Sequence, residues 1–218
     1  MVLQLEDSYK TKGLRKKLVK ELSELGISDK QVLNAIGKVP RHFFLETAFT
    51  AHAYKNKAFP IGGGQTISHP FTVAFQSQLL EIKKGDKILE IGTGSGYQTS
   101  ILHELGAKIF TVERLPDLTK KAKIICQKIG VRANFLVGDG STGWKNNAPY
   151  DGIIVTAGAP TITEELINQL KIGGVLVIPV GDENQQEIKK ITKLENDQWQ
   201  ATSYSGFSFV PLLGKNAW

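Results

Sequence analysis

The 218-residue chain has one cysteine, four histidines and no apolar run near the roughly 20 residues that a membrane-spanning helix needs. Cys126, in "KAKIICQKIG", has no second cysteine for a disulfide and no partner thiolate for a metal, so it is expected to be a packed core thiol. His42, His52, His69 and His103 show no metal-ligand spacing, and no metal is expected. The first residues, "MVLQLEDSYK", lack the basic start and apolar centre of a signal peptide. A cytoplasmic protein without membrane contact is therefore expected. There is no internal repeat and no low-complexity segment. The densest basic stretch, "KTKGLRKKLVKEL", lacks the interleaved aromatics on which bases stack. Leu14, Leu18, Leu22 and Leu25 instead recur there at helical spacing, predicting an amphipathic helix with lysines on its wet face. Despite a net charge of +6, no nucleic-acid partner is expected.

What is present is ordinary for a globular chain, 41% hydrophobic and 22% charged, and its length suits one domain, 1–218. Residues 1–70 read as a helical extension and loop. A helix ends near Gly26, and "SDKQ" predicts a capping box from Ser28 to Gln31 on a second helix that stops before Pro40. "PIGGGQTISHP" breaks all periodicity, and Pro70 suits the first turn of a helix running to about Ile82. Across 71–218 the rhythm becomes that of a Rossmann-like core. "KILEIG", "AKIFTVE", "ANFLVGD", "YDGIIVTA" and "GGVLVIPVG" are near-continuous apolar runs, as in parallel strands covered on both faces. "YQTSILHELG", "LPDLTKKAKIICQKIG" and "TITEELINQLKIG" between them have helical spacing. "EIKKITKLE" and "QWQATSYSGF", separated by Asn196 and Asp197, predict a C-terminal antiparallel hairpin. The fold class is α/β, doubly wound with a mostly parallel sheet.

Ligands in such sheets bind beyond the carboxyl ends of the strands, where the first strand here opens into "ILEIGTGSGYQTS". A dinucleotide fingerprint G-x-G-x-x-G fails, because Tyr97 stands at its last glycine. Glu90 followed by Gly92-Thr93-Gly94-Ser95-Gly96 resembles the first motif of class I S-adenosylmethionine-dependent methyltransferases. The glycines would leave room for the cofactor, and the loop amides with the next helix N-terminus would meet its carboxylate. Glu113 ends the second strand, where a carboxylate accepts both ribose hydroxyls; the alternative is a charge capping a strand. Asp139, ending the third, suits the adenine amino group or a simple turn between glycines. Gly140 and Thr156 complete the expected cofactor contacts.

The fourth strand ends in "TAGAP", without the proline-aromatic motif of base-methylating enzymes. "VPRHFF", "PIGGGQTISHPFTVA", "VERLPDL", "GDGSTGW", "YDGIIVTAGAP", "GGVLVIPVG" and "FVPLLG" occur in the order that resembles the protein-L-isoaspartate (D-aspartate) O-methyltransferase family. The resemblance implies methyl transfer from S-adenosyl-L-methionine to the free α-carboxylate of L-isoaspartyl, and D-aspartyl, residues in aged proteins and peptides; a monomer is expected, though nothing in the sequence fixes the oligomeric state. It implies Ser68 as catalytic residue, with substrate contacts from Gly64, Gln65, Thr66 and Ile67 and from Val210, Pro211 and Leu212. Asn56 departs from the family, which is usually acidic in that stretch. On local sequence alone Ser68 reads equally as the N-cap of the helix begun by Pro70. A nucleic-acid methyltransferase using the basic helix and a small-molecule carboxyl methyltransferase stay open on the residues; "PIGGGQTISHP" separates the first reading from both.

Overall fold

In the computed structural model, which describes residues 6–196 and 198–218, helix α1 (Tyr9–Glu24) is capped by Ser8, whose hydroxyl accepts from the Thr11 amide. Met1–Leu5, the start of the segment read for a leader, and Asp197, half of the expected hairpin turn, lie outside the described residues. Helix α1 buries Leu18 and Leu22. Leu25, placed on the same stripe by its spacing, is 51% exposed because the helix has already ended. Helix α2 (Lys30–Lys38) stops before Pro40, and its cap is Asp29 rather than Ser28. The Asp29 carboxylate accepts from the Gln31 and Val32 amides, and a charged acceptor suits the positive end of a helix. The Ser28 amide, which a capping box would give to Gln31, goes to Gln78 Oε1.

Two 3-10 turns follow, Arg41–Phe44 and Thr47–His52. The stretch expected to be irregular is a hairpin: β1 (Phe59–Gly62) pairs antiparallel with β2 (Gln65–Ile67). Glycines at 62, 63 and 64 all take positive φ, which a tight reversal of this kind requires. Helix α3 (Pro70–Leu79) begins at its proline.

The rest alternates as β3 (Lys87–Ile91), α4 (Tyr97–Glu104), β4 (Lys108–Glu113), α5 (Pro116–Lys128), β5 (Ala133–Val137), β6 (Tyr150–Val155), α6 (Glu164–Asn168), β7 (Leu170–Gly181), β8 (Gln186–Lys193) and β9 (Trp199–Phe207). The sheet order is β5-β4-β3-β6-β7-β8-β9, parallel through β7 and antiparallel for the last two pairings. This is the doubly wound sheet with its C-terminal hairpin. One helix is shorter than its spacing predicts: only Glu164–Asn168 of "TITEELINQLKIG" is helical, because Leu170 already pairs with Tyr150 as the start of β7. Strand order reverses between β3 and β6, so the crevice beyond their carboxyl ends is the switch point. Helices α1 to α4 share one apolar core, including Leu22, Ile36, Val73 and Ile101, and this core fastens the β1–β2 hairpin above that crevice through Ile61 and Ile67.

Candidate active site

The crevice is an open cleft bordered by the β1–β2 hairpin, the loop after β3 and the C-terminal segment. Its floor is the loop after β3. The Thr156 hydroxyl, at the end of β6, donates to the carbonyls of Ile91 (3.0 Å) and Gly92 (2.8 Å) and fills the space a Cβ on Gly92 would need. A Cβ on Gly96 would lie 3.1 Å from Cys126 Sγ and 3.2 Å from Ala122 Cβ on α5. At these two positions packing and positive φ, not a ligand's volume, exclude side chains. Cys126 is fully buried there, and burial pushes its thiol up to about 11, so it is an inert packing group.

The loop amides are also more committed than expected. Those of Gly92 and Thr93 donate to Val112 O, that of Gly96 to Thr93 O, and that of Gly94 to Glu113 Oε2 at 2.8 Å. Among the described residues the Ser95 amide alone in this loop makes no hydrogen bond, and it stands at the start of α4. Glu113 Oε1 accepts from the Leu115 amide at 3.0 Å, so this carboxylate clamps the end of β4 to the loop while facing the cleft.

Glu90 lies beneath the loop and does not reach the cleft. It is fully buried; Oε2 accepts from Thr99 Oγ1 (2.5 Å) and Thr111 Oγ1 (2.7 Å), Thr111 in turn meets Thr93 Oγ1 (2.6 Å), and Oε1 has no partner. Burial pushes its carboxyl up to about 8, so at neutral pH it is a protonated strut under the loop. Asp139 is not among the residues that line the cleft. Oδ1 accepts from the Ser141 amide and hydroxyl and Oδ2 from the Lys215 amide at 2.7 Å, which tethers the C-terminal segment to this turn. Gly140 lines the cleft in its stead.

That segment forms one wall. Gly158, just past β6, exchanges backbone hydrogen bonds with Val210 (2.8 Å) and Leu212 (2.7 Å), which brings Val210, Pro211 and Leu212 to the cleft. The opposite wall is the hairpin: Gln65, Thr66, Ile67 and Ser68 line the cleft, while Gly64 does not. Ser68 is not a cap. Helix α3 has no side-chain bond at its N-cap, His69; the Phe71 amide in its first turn is held by Asn56 Oδ1 at 3.0 Å, and the Ser68 hydroxyl makes no hydrogen bond among the described residues. Sequence reasoning missed Gln76 and Gln98, both buried in the cleft wall. Gln76 Nε2 donates to Val155 O; Gln98 Nε2 donates to Ser77 Oγ and its Oε1 is left without a partner. Their helical positions read as ordinary helix polar residues, because the approach of α3 to the end of β6 and of α4 to α3 is not visible locally. Among the described residues no group of three or more His, Cys, Asp or Glu is arranged to hold a metal, and no helix is long and apolar enough to cross a membrane.

Residues 13–217 match the family described as protein-L-isoaspartate(D-aspartate) O-methyltransferase. The chain is 52% identical over 214 residues to the protein-L-isoaspartate O-methyltransferase of Cytophaga hutchinsonii, covering 98% of this chain and 97% of that one. It is 54% identical over 210 residues to that of Flavobacterium psychrophilum, with 96% and 98% covered. A solved protein-L-isoaspartate O-methyltransferase superposes with a TM-score of 0.82 at 26% identity, over 93% of this chain and 67% of that chain. A Plasmodium falciparum chain described as a beta-aspartate methyltransferase, solved with S-adenosyl-L-homocysteine, shares the fold at a TM-score of 0.79 and 23% identity, over 91% and 98%. With the family profile running nearly end to end and the hairpin, glycine loop and C-terminal wall meeting at one cleft, the chain belongs to the protein-L-isoaspartate(D-aspartate) O-methyltransferase family.

Proposed function

We propose that the chain transfers the methyl group of S-adenosyl-L-methionine to the free α-carboxylate of L-isoaspartyl residues in damaged proteins and peptides, and that Ser68 is its catalytic residue. The observation that carries this reading is the unspent Ser68 hydroxyl on the wall facing the Gly92–Ser95 loop across one cleft.

The cleft's own groups fit the cofactor. A zwitterionic amino-acid end needs a donor and an acceptor. The free Ser95 amide at the start of α4 supplies the first and the orphaned, buried Gln98 Oε1 the second. Glu113 keeps lone pairs for the two ribose hydroxyls, with Gly94, Gly140 and Thr156 around them. When bound, S-adenosylmethionine supplies a methyl group made electrophilic by a positively charged sulfur. The chain's residues then have little chemistry to perform. An α-carboxylate, with a reference pKa near 3.5, is already an anion at neutral pH and needs no general base. The cleft accordingly works without histidine or cysteine in its lining. Ser68 donates a hydrogen bond that orients the carboxylate, Gln65 to Ile67 border it, and Val210 to Leu212 close the other side against water. Orientation and water exclusion of this kind lower a barrier by several kcal/mol. A monomeric, cytoplasmic enzyme without a nucleic-acid partner is part of the same proposal.

The test is labelled methyl transfer to a peptide containing L-isoaspartate and to its normal L-aspartate twin. Labelling confined to the first, and lost on standing at mildly alkaline pH as the ester cyclises, is the expected result. Equal labelling of both peptides overturns the reading in favour of a broad carboxyl methyltransferase.

A further inference from the structure

Behind Ser68 lies a cation that none of the preceding chemistry uses. Arg41, in the first 3-10 turn, is completely buried, and among the described residues it forms no ion pair. Its guanidinium is held by three backbone carbonyls from separate segments. Nε donates to Ala53 O (3.0 Å), and Nη2 donates to Lys57 O (3.2 Å) and to Ser68 O (2.8 Å). Nη1 is buried without a partner. The group sits 4.8 Å from the ring centre of Tyr97, the first residue of α4, which itself lines the cleft and whose buried hydroxyl is also unpartnered.

A buried charge without a counter-ion is unfavourable, and tying carbonyls together needs only neutral N–H donors. The guanidinium stays charged nevertheless: burial lowers it only to about 10. Its field reaches the neighbouring residue, since after burial the Arg41 charge is the second cause holding the His69 imidazole below its ordinary range. The missing anion is the one the reaction brings. We propose that Arg41 is a positioning residue for the substrate carboxylate, fixing the Ser68 backbone from behind and providing the buried positive charge that the incoming anion neutralises. This rests on the reading of Ser68 as the carboxylate-binding edge. Because the carboxylate loses its charge as it takes the methyl group, a fixed cation behind it favours the bound substrate more than the transition state. Arg41 therefore acts on substrate affinity rather than on turnover.

The experiment compares Arg41→Gln, which keeps N–H donors and loses the charge, with Arg41→Lys, which keeps the charge. Thermal melting, calorimetric affinity for S-adenosylhomocysteine, and KM and kcat for the isoaspartyl peptide are measured on the full chain. Arg41→Gln should raise KM about tenfold or more with kcat unchanged or raised by up to roughly threefold, the signature of a lost interaction made more with the bound substrate than with the transition state. Cofactor-product affinity should stay near wild type, and Arg41→Lys should recover part of the KM. A folded Arg41→Gln enzyme with unchanged KM overturns the proposal, as does a peptide affinity that falls in step with S-adenosylhomocysteine affinity in both variants. If neither variant folds, the wild-type enzyme decides. A buried cation is poorly screened, so KM should change less than about twofold between roughly 0.05 and 0.5 M salt. A steep rise assigns the attraction to exposed lysines and overturns the proposal. Equal use of isoaspartyl and aspartyl peptides by wild type would instead sink the underlying reading, independently of what the Arg41 variants do.

Discussion

Removing the Ser68 hydroxyl separates two roles that coincide in the sequence and part in the structure. A serine two residues before Pro70 suits a helix cap, and as a cap its loss would destabilise the protein by about 1 kcal/mol. The first-turn amide of Phe71 is taken by Asn56 Oδ1, and no side chain caps at His69, so that cost belongs to Asn56. Ser68→Ala should therefore leave stability within about 0.5 kcal/mol, as for a side chain with no partner to lose. Asn56→Ala should forfeit about 1 kcal/mol, a melting shift of roughly 2–4 °C for a chain of this size. Activity should respond in the opposite order. A hydrogen bond to a charged group contributes about 1.5–3 kcal/mol, which is roughly 10- to 150-fold in kcat/KM for Ser68→Ala at about 1.4 kcal/mol per tenfold. Ser68→Asp should be inactive, because it sets a second anion against the substrate carboxylate. Differential scanning fluorimetry, isoaspartyl methylation and S-adenosylhomocysteine titration on the three variants give the answer. A Ser68→Ala enzyme with near-normal turnover, or one that melts several degrees lower while Asn56→Ala does not, refutes the argument.

The buried Glu90 predicts a pH dependence. Its carboxyl is raised from 4.5 to about 8, so between those values the folded chain holds a proton the unfolded chain has lost. Stability should then fall as pH rises through that window by about 1.4 kcal/mol per unit, and be level outside it. In Glu90→Gln, which stays neutral, this component should vanish; melting curves of the two proteins that run parallel from pH 5 to 8 would contradict the protonated state. Glu113→Ala should weaken S-adenosylhomocysteine binding by about 1.5–3 kcal/mol and also lower the melting temperature, since the Gly94 and Leu115 amides lose their acceptor. Unchanged affinity in calorimetry would remove Glu113 from the cofactor site.

The periodicity of the sequence was enough for the five parallel strands and the C-terminal hairpin, because burial on both faces imposes continuous apolar runs and half-burial imposes alternation. The glycine loop and Glu113 were legible for a related reason: strand ends mark the sheet's ligand edge, and positive φ demands glycine. Ser68, Gln65 and Thr66 were reached through a resemblance; the hairpin that carries them escaped because strands of three and four residues with a triple-glycine turn have no period to read. What tertiary structure alone decided is which polar group meets which. Glu90 and Asp139 sit at positions that look ligand-facing. Thr99 and Thr111 hold the first under the loop, and the amide of Lys215, 76 residues further along the chain, engages the second. Arg41 and Gln98 stand inside stretches the sequence singles out, yet nothing local gives either of them, or Gln76, a role. Their partners lie 27, 21 and 79 residues distant, and hydrogen bonding of a buried polar side chain is settled only when packing has brought its partners within reach.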